Sequence, residues 1–143
     1  MFSVIVVGTD GSETAGTAVA LAVQIATENR AKLHLVAGVR SPKAVTVPAG
    51  GVQAMDQSSE AHLRNAAQRM LENVADGIEG LDVEKHTAVG DPAEAIVRRA
   101  DEIGADLIVV GSKGMRGSRR VLGSVPNRVA HKAGCNVLIA KTI

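Results

Sequence analysis

Short β-rich segments and stretches of helical period alternate along the whole sequence, and few folds accommodate that pattern. Val4 to Val7, Leu33 to Val39, Leu107 to Val110 and Val137 to Ala140 are aliphatic runs, and Val83 to Val89 alternates. A β-branched run bounded by turn residues reads as a strand covered on both faces. The segments between carry apolar residues at spacings of three and four. Ala15, Val19, Ala22 and Ala26 form one such stripe, with Leu21 and Ile25 beside it. Asp56 to about Gly77 forms a second, on Leu63, Ala67, Met70, Val74 and Ile78. Ile96, Ala100 and Ile103 mark a third helix, and Val125, Val129 and Ala133 a short fourth. Strands alternating with helices predict an α/β fold: a three-layer, open, parallel five-stranded sheet with about four helices, Rossmann-like, joined by right-handed crossovers. A chain of 143 residues suits one domain, and no repeat, low-complexity tract or linker divides residues 1–143.

Local chemistry sharpens two places. Asp91-Pro92-Ala93-Glu94 reads as a helix start, with Asp91 as cap, Pro92 in the first turn and Glu94 as the reciprocal capping residue. Arg40 to Ala54 holds Pro42, Pro48, Gly50 and Gly51 without helical period, and reads as a mobile loop of the kind that carries function.

Open parallel sheets bind ligands beyond the carboxyl ends of their strands, where the winding reverses. Two strand-end loops are unusual here, Gly8 to Ser12 and Gly111 to Ser124. A strand order of 3-2-1-4-5 places both over one crevice. In the second loop Gly111, Gly114 and Gly123 let backbone N–H groups approach an anion, and Ser124 can cap the last helix or donate to a phosphate. Arg116, Arg119 and Arg120 add cations, with Lys113 a possible fourth. Asp10 supports two readings: acceptor for ribose hydroxyls or a phosphate-bound metal, or cap of the first helix bonding to the Glu13 backbone. Neither Gly-x-x-x-x-Gly-Lys-Ser/Thr nor Gly-x-Gly-x-x-Gly after the first strand occurs, so neither a P-loop NTPase nor Rossmann dinucleotide binding is indicated.

Composition removes other classes. Sixteen basic residues against fifteen acidic ones leave a charge of +1, too little to capture nucleic acid or an anionic membrane electrostatically. Phe2 is the sole aromatic among Phe, Tyr and Trp, which argues against base-stacking modules and methyl-lysine cages. No apolar run approaches a membrane span, and Met1 to Asp10 lacks signal-peptide features, so the cytoplasm is the default location. Cys135, the single cysteine, reads as a small buried residue. His34, His62, His86 and His131 share neither ligand spacing nor a loop, and are expected to pack or lie at the surface. Ser112, Ser118 and Ser124 lack a His/Asp partner arrangement, so no catalytic residue and no metal ligand is assigned.

Several segments, in order, carry a family resemblance: Val7-Gly8-Thr9-Asp10-Gly11-Ser12, Val89-Gly90-Asp91-Pro92, Ala105-Asp106-Leu107-Ile108-Val109-Val110-Gly111, Gly123-Ser124-Val125-Pro126-Asn127-Arg128-Val129 and Cys135-Asn136-Val137-Leu138-Ile139. The chain resembles the universal stress proteins, in particular their small, single-domain, ATP-binding branch. Eight residues separate Gly114 from Gly123, where the family's signature has nine. The resemblance implies an ATP site, with Mg²⁺ as a possible companion and cyclic AMP or AMP as alternative ligands. It places Thr9 and Asp10 near the ribose and phosphates, and Val39 against adenine through its backbone. Val110, Gly111 and Gly114 would lie under the nucleotide, and Gly123, Ser124 and Val125 would hold the phosphates. It also implies a regulatory module acting on an unknown protein partner, at most slow ATP hydrolysis, and a homodimer through the last strand, Val137 to Lys141.

Overall fold

The chain runs β1 (Val4–Gly8), α1 (Glu13–Asn29), β2 (Lys32–Val39), β3 (Val45–Thr46), β4 (Val52–Gln53), α2 (Gln57–Asp76), β5 (Val83–Val89), α3 (Pro92–Ile103), β6 (Leu107–Gly111), α4 (Val125–Lys132) and β7 (Asn136–Ala140). The computed structural model describes residues 1–40, 45–46, 52–53, 57–112 and 124–142.

Five strands form one parallel sheet in the order β5-β2-β1-β6-β7, the expected 3-2-1-4-5. Central strands read as unbroken aliphatic runs because both faces are covered. In β1, Ile5 and Val7 enter one apolar cluster and Val6 the other, all three fully buried. The first cluster packs β1, β2 and β6 against α1 and α2, and Leu33, Leu35 and Leu71 are at its centre. The second packs the same strands against α3 and α4 through Val36, Ile96, Ile108 and Val129. These are the three layers.

The carboxylate of Asp106 accepts the backbone N–H groups of Ser3 and Val4 at 2.8 and 3.1 Å, and so fastens the entry of β1 to the entry of β6. At α3, Asp91 caps as expected, accepting the Glu94 N–H at 3.1 Å with Pro92 in the first turn. The reciprocal half of the box is replaced: the Glu94 carboxylate pairs with Lys132 on α4 at 3.2 Å.

Other expectations need correction. The segment Arg40 to Ala54 is not wholly loop, since β3 and β4 pair antiparallel within it. On α2 the fully buried residue is Leu71, whereas Leu63 is exposed. Among the described residues, Ala67, Met70, Val74 and Ile78 of the expected stripe pack on the sheet with Leu71, and Leu63 does not. Cys135 is half-buried, at the margin of the second cluster. No described helix is long and apolar enough to cross a membrane.

Candidate functional site

At the carboxyl end of the sheet, the chain after β1 is held in a tight, prearranged turn. Thr9 N–H donates to the Val36 carbonyl at 3.0 Å, and its hydroxyl accepts the Gly11 N–H at 3.1 Å. Asp10 accepts the Ser12 N–H at 2.9 Å. Gly11 sits at φ +78°, a left-handed conformation that glycine adopts without steric cost. The cap of α1 is Ser12, whose hydroxyl accepts the Ala15 N–H at 3.2 Å. The capping role considered for Asp10 therefore falls to Ser12, leaving Asp10 at the exposed rim with its turn bond.

Opposite this turn, the ends of β6 and β7 are laced together. Ser112 N–H donates to the Ala140 carbonyl at 2.8 Å, and Thr142 N–H donates to the Ser112 hydroxyl at 3.0 Å. The third wall is the start of α3, which lies directly on β2. A Cβ at Gly38 would stand 2.6 Å from the Pro92 Cα, so only glycine lets strand and helix approach so closely. The start of α4, Val125 and Pro126, makes the fourth wall. Between them is a cleft of about 420 Å³, within the size range of small-molecule sites.

Among the described residues its polar lining is Thr9, Asp10, Ser12, Thr14, Thr142 and the cation Arg40, with aliphatic neighbours that include Val36, Ile96 and Val110. Beside it, Arg128 of α4 donates to the Asp91 carboxylate at 2.6 Å and ties the two helix starts together. The guanidinium holds the Asp91 pKa below the ordinary aspartate value. At the N-cap of α4, Ser124 has extended backbone but makes no side-chain cap bond. Its hydroxyl is buried with no hydrogen-bond partner among the described residues. A buried hydroxyl without a partner costs free energy on the order of 1–3 kcal/mol, so this one calls for an explanation.

Of the residues expected at a site, Thr9, Asp10, Val110, Gly111 and Val125 line the cleft, and Ser124 adjoins it. Val39 does not line it. The Val39 carbonyl accepts the Gly90 N–H at 2.7 Å, while Gly38 and Arg40 on either side reach the cleft. Val39 was expected to meet a ligand through its backbone, and the cleft is lined by the residues on either side of it. Gly114, Arg116, Arg120 and Gly123 lie outside the described residues, as do Lys113 and Arg119. Thr142 and Ile96 were not anticipated, since one follows the last strand and the other reads as core.

A second group of polar residues was also missed. The four histidines were expected to be scattered, yet His34 Nδ1 and His86 Nε2 are 2.9 Å apart, with Glu84 alongside. Positions 34 and 36 pair with 84 and 86 in a parallel register, which puts all three side chains on one face of β2 and β5. Burial lowers the pKa of both imidazoles. Burial also raises that of Cys135, away from a reactive thiolate.

Sequence and structure comparisons extend over the whole chain. The model of the universal stress protein family matches residues 1–141. Universal stress protein YxiE of Bacillus subtilis is 32% identical over 148 aligned positions, covering 99% of this chain and all of that protein. Universal stress protein Rv1636 of Mycobacterium tuberculosis is 36% identical, covering 99% of this chain and 97% of its own. Among solved structures, a universal stress protein in complex with cAMP superposes with a TM-score of 0.76 at 35% identity, covering 99% of both chains.

Proposed function

The chain belongs to the universal stress protein family, and from that membership we propose that it is a regulatory module binding an adenine nucleotide, ATP, in the cleft above β1 and β6. The observation that carries the reading is the Ser124 hydroxyl, buried at the start of α4 without a partner among the described residues. A phosphate oxygen there would satisfy that hydroxyl and the free N–H groups of the first helical turn together. The aliphatic lining from Val36, Ile96 and Val110 suits the faces of a purine. Thr9 and Asp10 at the rim suit ribose hydroxyls, and the Asp10 carboxylate can take Mg²⁺ carried on the phosphates. Arg40 offers the outer phosphates a cation. Nucleotide occupancy would act on stability or assembly, through a homodimer built on β7. That strand is a sheet edge, and Ile139 on it is 37% exposed.

Cyclic AMP is the second reading, favoured by the ligand of the related structure at 35% identity. The test is equilibrium dialysis against ATP and, separately, cyclic AMP, with and without Mg²⁺. Bound ligand is read from adenine absorbance, against which a chain with one Phe and no Tyr or Trp is nearly transparent. The expected result is a single ATP retained per chain, with much weaker retention in Asp10→Ala. Retention of cyclic AMP alone selects the second reading. Retention of neither overturns both.

A further inference from the structure

We propose that His34 Nδ1, His86 Nε2 and Glu84 Oε2 form a binding site for one divalent transition ion of the zinc class, separate from the nucleotide cleft. The donors come from two neighbouring strands and converge on one point. His34 Nδ1 lies 2.9 Å from His86 Nε2 and 3.5 Å from Glu84 Oε2, and the remaining separation is 3.7 Å. An ion held tetrahedrally at about 2.0–2.1 Å from each donor sets neighbouring donors roughly 3.3 Å apart. The three separations bracket that value. Two imidazoles and a carboxylate are also the donor types that borderline ions such as Zn²⁺ take, and three protein ligands leave a position open for water or a further ligand.

Without an ion, the two imidazoles satisfy each other. Their ring centroids are 5.1 Å apart and their planes 18° from parallel. That is about as far apart as rings touching at 2.9 Å can stand, so the nitrogens meet head-on over one shared N–H. Admitting an ion requires three changes and no loss of a proton from the pair. The contact opens by a few tenths of an ångström, the rings turn toward Glu84, and the bridging proton moves to the outer nitrogen of its own ring. Both facing nitrogens then present lone pairs. Of the two rings, His86 has the room to turn, because it lies on the edge strand with its side chain 16% exposed, against 5% for His34.

Lys32 acts here as a positioning residue. Its ammonium holds Glu84 Oε1 at 2.7 Å, which leaves Oε2 facing the imidazoles. The surrounding charge does not forbid a cation. Lys32 also contacts Asp82 at 3.6 Å, and Arg99 is paired with Glu102 at 3.2 Å. Burial disfavours protonation of both imidazoles, so the ion meets neutral ligands at neutral pH. The site is also distinct in position: His34 stands two residues before Val36, the first β2 residue to line the cleft. An ion there would cross-link the edge strand β5 to β2 and stabilise the folded chain by mass action.

The experiment is equilibrium dialysis of the intact protein against chelator-buffered Zn²⁺, repeated with Co²⁺ as a visible-absorption probe. Imidazole nitrogen NMR of the unmodified chain accompanies it. Expected are one Zn²⁺ per chain, a Co²⁺ band of a four- or five-coordinate site, and shifts confined to His34 and His86. Glu84→Gln should weaken binding by at least about tenfold, and His86→Ala by about a hundredfold. The double variant His62→Ala, His131→Ala removes two exposed histidines and should bind as the parent does. The proposal is overturned by absence of saturable uptake, by uptake unchanged in Glu84→Gln and His86→Ala, or by shifts on His62 or His131 instead. The NMR arm needs no variant, so a substitution that fails to fold cannot rescue the idea.

Discussion

The cleft beyond β1 and β6 and the histidine cluster on β2 and β5 handle buried polarity in opposite ways. At the cleft, polar groups are held by backbone geometry and one of them, the Ser124 hydroxyl, has no partner among the described residues. At the cluster, His34, His86, Glu84 and Lys32 satisfy one another in a closed chain of contacts. The cleft leaves a valence open for its proposed ligand, whereas the cluster holds its strands in register with nothing bound and must rearrange to admit an ion. The first arrangement sacrifices some folded-state stability for binding, and the second does not.

That contrast can be broken most severely at Gly38. Because a Cβ there would overlap the Pro92 backbone, Gly38→Val should push α3 off β2 and cost about 3 kcal/mol, measured by urea unfolding. Unaltered stability would mean that the wall of the cleft is not set by this approach. Next comes Ser124→Ala, which should leave stability unchanged or raise it, by removing a buried hydroxyl that no described residue satisfies. The same change should weaken nucleotide binding about tenfold, or 1.4 kcal/mol. A variant both less stable and equally good at binding would show the hydroxyl to be structural.

Asp91→Ala removes the cap of α3 and should cost about 1 kcal/mol at neutral pH. The sign of its pH dependence follows from the lowered pKa. Stability from the Arg128 contact is complete above the ordinary aspartate value of about 3.9 and is lost as the pH falls through the lower folded value. Parent and variant should therefore converge in acid, and a constant gap down the acid limb would remove Arg128 from the account.

The smallest effect is expected at the cluster. Burial lowers both histidine pKa values, opposed by Glu84 and influenced by Lys32, Asp82, Arg99 and Glu102. Below about pH 6.5 the unfolded chain binds protons that the folded chain refuses, so stability declines as the pH drops. His86→Asn should flatten that decline in thermal melts between neutral and mildly acid pH, and an unchanged slope would assign it elsewhere.

The same two regions mark how far the amino-acid sequence can be read. The cleft was largely legible because its devices are local. Glycine after a strand and the Asp91-Pro92 pair act within a few residues, and two unusual strand-end loops favoured the strand order that the sheet has; the cap of α1 was sought at Asp10, two residues before Ser12. The histidine cluster was not legible at all. His34 and His86 lie 52 positions apart and meet only through the register of β2 against β5, a property of the pairing and of neither segment by itself.

The bond from Asp106 to the N–H groups of Ser3 and Val4 has a consequence for how the molecule is made. Of the five strands of this sheet the earliest in sequence is the central one, and its second neighbour lies about a hundred residues downstream. During translation β1 can acquire β2, and β2 can acquire β5, while the other flank of β1 stays open. That flank presents unpaired backbone and an aliphatic surface, the kind of edge that recruits stray strands. It closes only once β6 leaves the ribosome. Vulnerability to misassembly is therefore greatest while most of the chain already exists, and it ends with the arrival of a single short segment.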